Sequence, residues 1–291
     1  MSDLKIKENN IVKSNKLLMA SFELTAIEYK IILAAISLVN PILNGISSVD
    51  FYRFNIKQLQ DVGVTSNLTT KEIKAILDSL YSRNVLIHDE NFKNPINTRW
   101  IQSYVLEDNR DIGIKFGDDV SKYLMNLTGN YTKYYLNQIS SLKLFHSVRI
   151  FEMLIQYRTI GHRTFLIEDL KSVLCLTGKY KKYNDFKRKV IDVAVDEINK
   201  SGALKINKVI PIKNGRSVVG IKFVFRETLT IRGSSITYGK QITGDGFLTF
   251  EEFFKKIERC ETVDDGYERL KKDGYIMPDI KDLKAFESNY T

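Results

Sequence analysis

Apolar residues at Phe54, Ile56, Leu59 and Val62 mark a short amphipathic stretch. After a polar turn, Ile73, Ile76, Leu77 and Leu80 follow the spacing of a longer helix with one buried face. The pattern then returns. Phe165, Ile167, Leu170 and Val173 repeat the first set 111 residues later, and Ile191, Ala194, Val195 and Ile198 repeat the second 118 residues later, as does Leu204 for Leu86. The change of offset places seven extra residues in the turn of the second copy.

Each copy has the same flanks. A leading helix over 24–39 opens with Thr25 and Glu28 in capping-box spacing and stops before Pro41, and its counterpart over 147–158 offers Ile150, Phe151, Leu154 and Ile155 to a core. Strands follow the long helices. In the first copy 85–88 and 100–107 flank a polar loop with Asn91, Asn94 and Pro95, and in the second 203–210 and 218–225 flank Lys213, Asn214, Gly215 and Arg216. Between the copies, 111–116 reads as a strand, 118–127 as a short helix and 129–132 as the joint. Helix, helix, turn, helix and a two-stranded ribbon is the order of a winged helix, whose third helix enters the major groove while the wing touches backbone or minor groove. The expectation is an α+β protein of two tandem winged-helix domains, 1–130 and 131–232, followed by an acidic helical tail over 233–291.

Charge separates the two copies. Formal net charge is 0 over 1–130, +12 over 131–232 and −3 over 233–291, so the excess of +9 resides in the second copy. Such a block suits a polyanion, and counterion release would drive sequence-independent affinity for nucleic acid. The longer turn of that copy carries Lys179, Lys181, Lys182, Tyr183 and Asn184 ahead of the helix, a set able to grip phosphates. Winding the helix from Phe186 at about 100° per residue leaves Arg188, Lys189, Asp192 and Asp196 outward and turns Lys187 nearer the core. Arg188 or Lys189 can donate to guanine O6 and N7, and Asp192 can accept from a cytosine amino group. Lys208, Lys213 and Arg216 would extend the footprint into the wing. In the neutral first copy, Ser66, Asn67, Thr69, Thr70, Lys71 and Lys74 are the matching candidates, with protein contact as the competing role.

The residues give no catalytic or metal site and call for no cofactor. His88, His146 and His162 stand too far apart in sequence for a His-x-His motif, and Tyr131, Tyr134 and Tyr135 read as packing and linker aromatics without a metal to position a scissile phosphate. Gly178-Lys179 lacks the earlier glycine and the hydroxyl of a phosphate-binding loop, as Val173 and Tyr180 occupy those places. Two cysteines, Cys175 and Cys260, form no CxxC pair. The longest apolar run, 31–36, falls far short of the ~20 residues of a membrane span. With no apolar run behind a basic start, a cytoplasmic, non-enzymatic protein is expected.

The phrase Asn10-Ile11-Val12-Lys13-Ser14-Asn15-Lys16-Leu17-Leu18, with Leu24-Thr25, the helix over 29–38 and the repeat, resembles theta-type plasmid replication initiators, the iteron-binding Rep proteins. The similarity covers about residues 10–226. It implies binding to direct repeats in origin duplex DNA, help in opening the adjacent AT-rich duplex, and repression of the protein's own promoter by dimers joined through the first domain. It also implies the host initiator and replicative helicase as partners, and the long helix with Arg188, Lys189 and Asp192 as principal reader. A tandem winged-helix repressor and a basic scaffold for acidic protein or lipid are the rival readings.

Overall fold

A computed structural model describes residues 10–39, 51–64, 67–125, 127, 130–231, 234–237, 264, 267 and 268. The chain divides into two compact units, Met1–Tyr238 and Gly239–Thr291. Most of the expected tail lies outside the described residues, although Asp264, Tyr267 and Glu268 are helical.

In the first repeat, strand β1 (Asn10–Ser14) leads into a single turn, α1 (Asn15–Leu18), and then α2 (Ala26–Ile36). The capping box at Thr25 and Glu28 is present, so both ends of that motif satisfy backbone or side-chain donors that would otherwise be orphaned. Residues 28–36 are all buried, including Glu28 and Lys30, which makes α2 the central post of the fold. Strand β2 (Tyr52–Asn55) precedes a 3-10 helix, Ile56–Val62, and then α3 (Thr70–Tyr81). Strands β3 (Asn84–Ile87), β4 (Ile96–Arg99), β5 (Ile101–Leu106) and β6 (Asp111–Phe116) follow, and α4 (Asp118–Ser121) is shorter than expected.

The second repeat contains β7 (Tyr131–Tyr135), a 3-10 turn Leu136–Ile139, α5 (Phe145–Ile155), β8 (His162–Leu166) and α6 (Ile167–Val173). Its long helix has three parts: α7 (Tyr183–Phe186), a π turn Lys187–Ile191 and α8 (Asp192–Ser201). Strands β9 (Leu204–Asn214) and β10 (Ser217–Ile231) form the wing, with β8 pairing on the other side of β10. The protein is thus α+β with two winged helices in tandem.

The internal repeat survives in the packing. Phe54 and Phe165 lie buried on β2 and β8, followed by buried Ile56 and Ile167, Leu59 and Leu170, Ile73 and Ile191, Leu80 and Ile198. The equivalence of Leu86 with Leu204 does not hold. Leu86 is 39% exposed while its neighbours Val85 and Ile87 are buried, whereas Leu204 and Ile206 are buried. Strands alternate faces, so a one-residue slip in the connection after the helix inverts the match.

Three further differences trace to pairing partners. The first-copy ribbon is β3 with β4, Ile87 opposite Ile96, and the strand starting at Ile101 instead joins β6 in the sheet β2-β6-β5. Buried Trp100 sits where the chain passes from one sheet to the other. Tyr131 and Thr132 are not a joint: they belong to β7, which pairs antiparallel with β1 from Asn10↔Tyr135 to Ser14↔Tyr131. Beyond the expected end of the second copy, β11 (Ser234–Thr237) pairs with the last residues of β10.

A buried polar cluster joins the two repeats. Glu152 of α5 pairs with Lys13 of β1 at 2.5 Å and with Arg149 at 3.3 Å, and accepts the hydroxyl hydrogens of Tyr29 and Tyr134. Lys13, Arg149 and Glu152 are each 0% exposed. Burial raises the Glu152 carboxyl, but the neighbouring charges of Lys13 and Arg149 outweigh it and hold the group below its ordinary value. Desolvation takes Lys13 down to about 8 against the pull of Glu152. Lys30 bridges the repeats differently, donating to the carbonyls of Gly63 (3.3 Å) and Ser140 (3.0 Å).

Candidate nucleic-acid interface

The long helix of the second repeat is anchored by Phe186, Val190, Ile191, Ala194 and Ile198, all buried. Glu197 ties it to α5, accepting from the backbone N–H groups of Lys143 and Leu144 at 3.2 Å each. Asn199 ties it to the wing, bonding both the N–H (2.7 Å) and the carbonyl (3.3 Å) of Ile206. The outer face is thereby fixed relative to the ribbon.

On that face Arg188, Lys189, Asp192 and Asp196 are exposed, as their spacing implied. Three of them are already engaged, Asp196 with Lys200 at 2.6 Å. Arg188 meets Asp185 at 3.3 Å, and Asp192 meets Lys187 at 2.6 Å. Lys187 lies nearer the core than its neighbours, as expected, with its side chain 38% exposed against 73% for Arg188, yet its ammonium reaches Asp192 on the outer face. That reach comes from the π turn, which brings residues five apart together and which straight winding at about 100° per residue did not include.

The basic turn ahead of the helix is held by backbone geometry. Gly178 and Tyr180 both have positive φ, and the Tyr180 ring packs 6.2 Å from Phe186. Lys179, Lys181, Lys182 and Asn184 are exposed around it, Lys179 lying 3.9 Å from Glu23. The helix begins at Tyr183, so Tyr183 and Asn184 form its first turn instead of preceding it. Tyr183 packs against the core with a buried hydroxyl, and burial is the main cause of its raised pKa.

In the wing, Asn214 pairs with Ser217 and only Gly215 and Arg216 connect the strands. Such a two-residue hairpin needs left-handed backbone, and Gly215 supplies φ 58° at no steric cost. Lys208, Lys213 and Arg216 are exposed.

The first-repeat candidates sit in a different setting. Ser66 lies outside the described residues. Asn67, Thr70, Lys71 and Lys74 are exposed, but Lys74 pairs with Asp78 at 3.0 Å. Thr69 is the N-cap of α3: its Oγ1 accepts from the Glu72 N–H at 3.2 Å, and the Glu72 carboxylate accepts from the Thr69 N–H at 2.7 Å and hydroxyl at 2.8 Å. These bonds hold the Glu72 carboxyl below its ordinary value. An anionic side chain therefore occupies the start of α3. At the start of α7 the N-cap is Lys182, with no side-chain cap.

Sequence reasoning missed Lys187 and Asp185. The apolar spacing around them carried no signal: Phe186, Val190, Ile191, Ala194 and Ile198 fit the apolar stripe of a regular helix, with Ile191 to Ala194 supplying a step of three.

Residues 10–155 match the family model described as Initiator Replication protein, WH1, and residues 166–225 match the one described as Initiator Rep protein, WH2. A replication initiation protein of Escherichia coli is 23% identical over 211 residues, 67% of this chain and 64% of that relative's length. Among solved structures, the Pi initiator protein in complex with iteron DNA superposes with a TM-score of 0.63 at 18% identity, over 76% of this chain and 98% of that one. The WH1 match takes in the first copy together with β7 and α5, the WH2 match takes in the second copy from Leu166 onward, and the chain belongs to the initiator replication protein family, with a WH1 and a WH2 segment.

Proposed function

We propose that the protein is a replication initiator that binds direct repeats of a plasmid origin through its second winged helix. The observation that carries this reading is the exposure of Lys181, Lys182, Arg188, Lys189, Lys208, Lys213 and Arg216 on the one repeat with a net charge of +12. Lys179, Lys181, Lys182 and Asn184 hold phosphates, Arg188, Lys189 and Asp192 face base edges, and the wing cations add backbone contacts. Tyr183 supports the turn from beneath. The likeness to an initiator bound to iteron DNA and the family membership favour an origin array over a single operator.

The first repeat has the accessory role. Its α3 places Glu72 where a phosphate would approach, which favours Ser66, Asn67, Thr70, Lys71 and Lys74 as weak backbone contacts at most. Self-association through residues 1–130, repression of the protein's own promoter, opening of AT-rich duplex and contact with the host initiator and helicase complete the proposed role. Selection of bound duplexes from a random pool by the full chain tests it. One dominant motif, bound more tightly when repeated in tandem, is the expected result. Equal recovery of all sequences at physiological salt identifies a generic polycation and refutes the proposal.

A further inference from the structure

The π turn creates a side-chain pair that a regular helix would not make. In an α-helix, neighbours on one face stand three or four residues apart, and residues five apart diverge by about 140°. In a π turn the repeat is i to i+5, which stacks Lys187 over Asp192. Their charged atoms meet at 2.6 Å, with the two side chains 38% and 47% exposed. Phe186, Val190 and Ile191, all buried, anchor this underwound segment to the core.

We propose that Lys187 is a specificity-determining residue, reading one base pair jointly with Asp192. The assignment rests on the DNA-reading function proposed above. An ammonium beside a carboxylate presents a donor next to an acceptor, on the outer face of the helix that also carries Arg188 and Lys189. In the major groove a C·G pair offers the matching complement: the cytosine amino group donates to Asp192, and guanine O6 or N7 accepts from Lys187. The ion pair orients both groups before DNA arrives. It therefore reduces the ordering that binding would otherwise require of a flexible lysine.

Random-pool selection with the full-length wild type, Lys187→Met, Lys187→Arg, Asp192→Asn and the Met/Asn double variant tests this, with thermal unfolding checking that each variant is folded. Lys187→Met and Asp192→Asn should each lose roughly five- to hundredfold of the preference for C·G at the same single position. The double variant should lose little more than either alone, and Lys187→Arg should keep the preference. Uniform weakening of all sequences by Lys187→Met would make it a phosphate contact and overturn the proposal. So would an unchanged motif, or a loss at a different position from that of Asp192→Asn. If the wild type itself selects no motif, the DNA-reading function fails and this assignment fails with it.

Discussion

Replacing Glu152 by Gln keeps the shape of a fully buried side chain and removes the one negative charge shared by Lys13 and Arg149, each 0% exposed. Two cations then remain in a site where burial already takes Lys13 down to about 8. Breaking a buried pair by neutralising one partner costs about 3–5 kcal/mol, because the surviving charge stays desolvated without compensation. For a unit the size of Met1–Tyr238, each kcal/mol shifts the midpoint by about 2–4 °C, so Tm should fall by roughly 6–20 °C. Thermal and denaturant unfolding of the full chain measures the loss. Pairing Glu152→Gln with Lys13→Met should cost at least about 1 kcal/mol less than the sum of the single changes, because the second substitution removes a charge that the first left stranded. The carboxyl also has a pH signature. Its folded pKa is held below the ordinary value, so the stability it confers is present above that value and is lost as pH falls through the folded pKa. Glu152→Gln should therefore have a shallower acid limb than the wild type. A Tm within 2 °C of wild type, or strict additivity of the two substitutions, would refute the account of how the repeats are joined.

Lys182→Ala should lower the slope of log affinity against log salt by about one for every DNA sequence alike, measured by titration at several salt concentrations; an unchanged slope would place Lys182 off the phosphates. Lys30, whose ammonium is brought to about 8 by burial against carbonyl partners, binds a proton more readily in the unfolded chain. Its contribution to stability therefore rises with pH from about 8 toward its ordinary value, and Lys30→Met should flatten the rise in Tm between pH 7.5 and 9.5. Gly63 has φ 75°, and an added Cβ would lie 2.0 Å from the Ser140 carbonyl oxygen, so Gly63→Ala should destabilise by well over 1 kcal/mol in chemical denaturation. A near-neutral effect would mean that Gly63 does not sit against the Ser140 carbonyl.

The duplication, the capped leading helix, the wing hairpin at Gly215-Arg216 and the placement of charge on the second repeat were legible from the chain, because each rests on local periodicity or on the conformational bias of a few adjacent residues. Exposure of Arg188 followed from helical periodicity, and that of Lys181 and Arg216 from their places in turns. Pairing across long separations was not legible. Nothing near Asn10 specifies that β1 will pair with Tyr131–Tyr135, or that Lys13 will meet Glu152 far along the chain, since those contacts depend on α2 and α5 packing together. The switch at Trp100 from one sheet to another likewise answers to the choice between β3 and β6 as partners for β4 and β5. The π turn was not legible either: the apolar spacing from Phe186 to Ile198 fits a regular helix, and the underwinding over Lys187–Ile191 is a feature of the packed fold. Local composition thus determined which surface carries the charge, and tertiary packing decided which charged groups stand side by side on it.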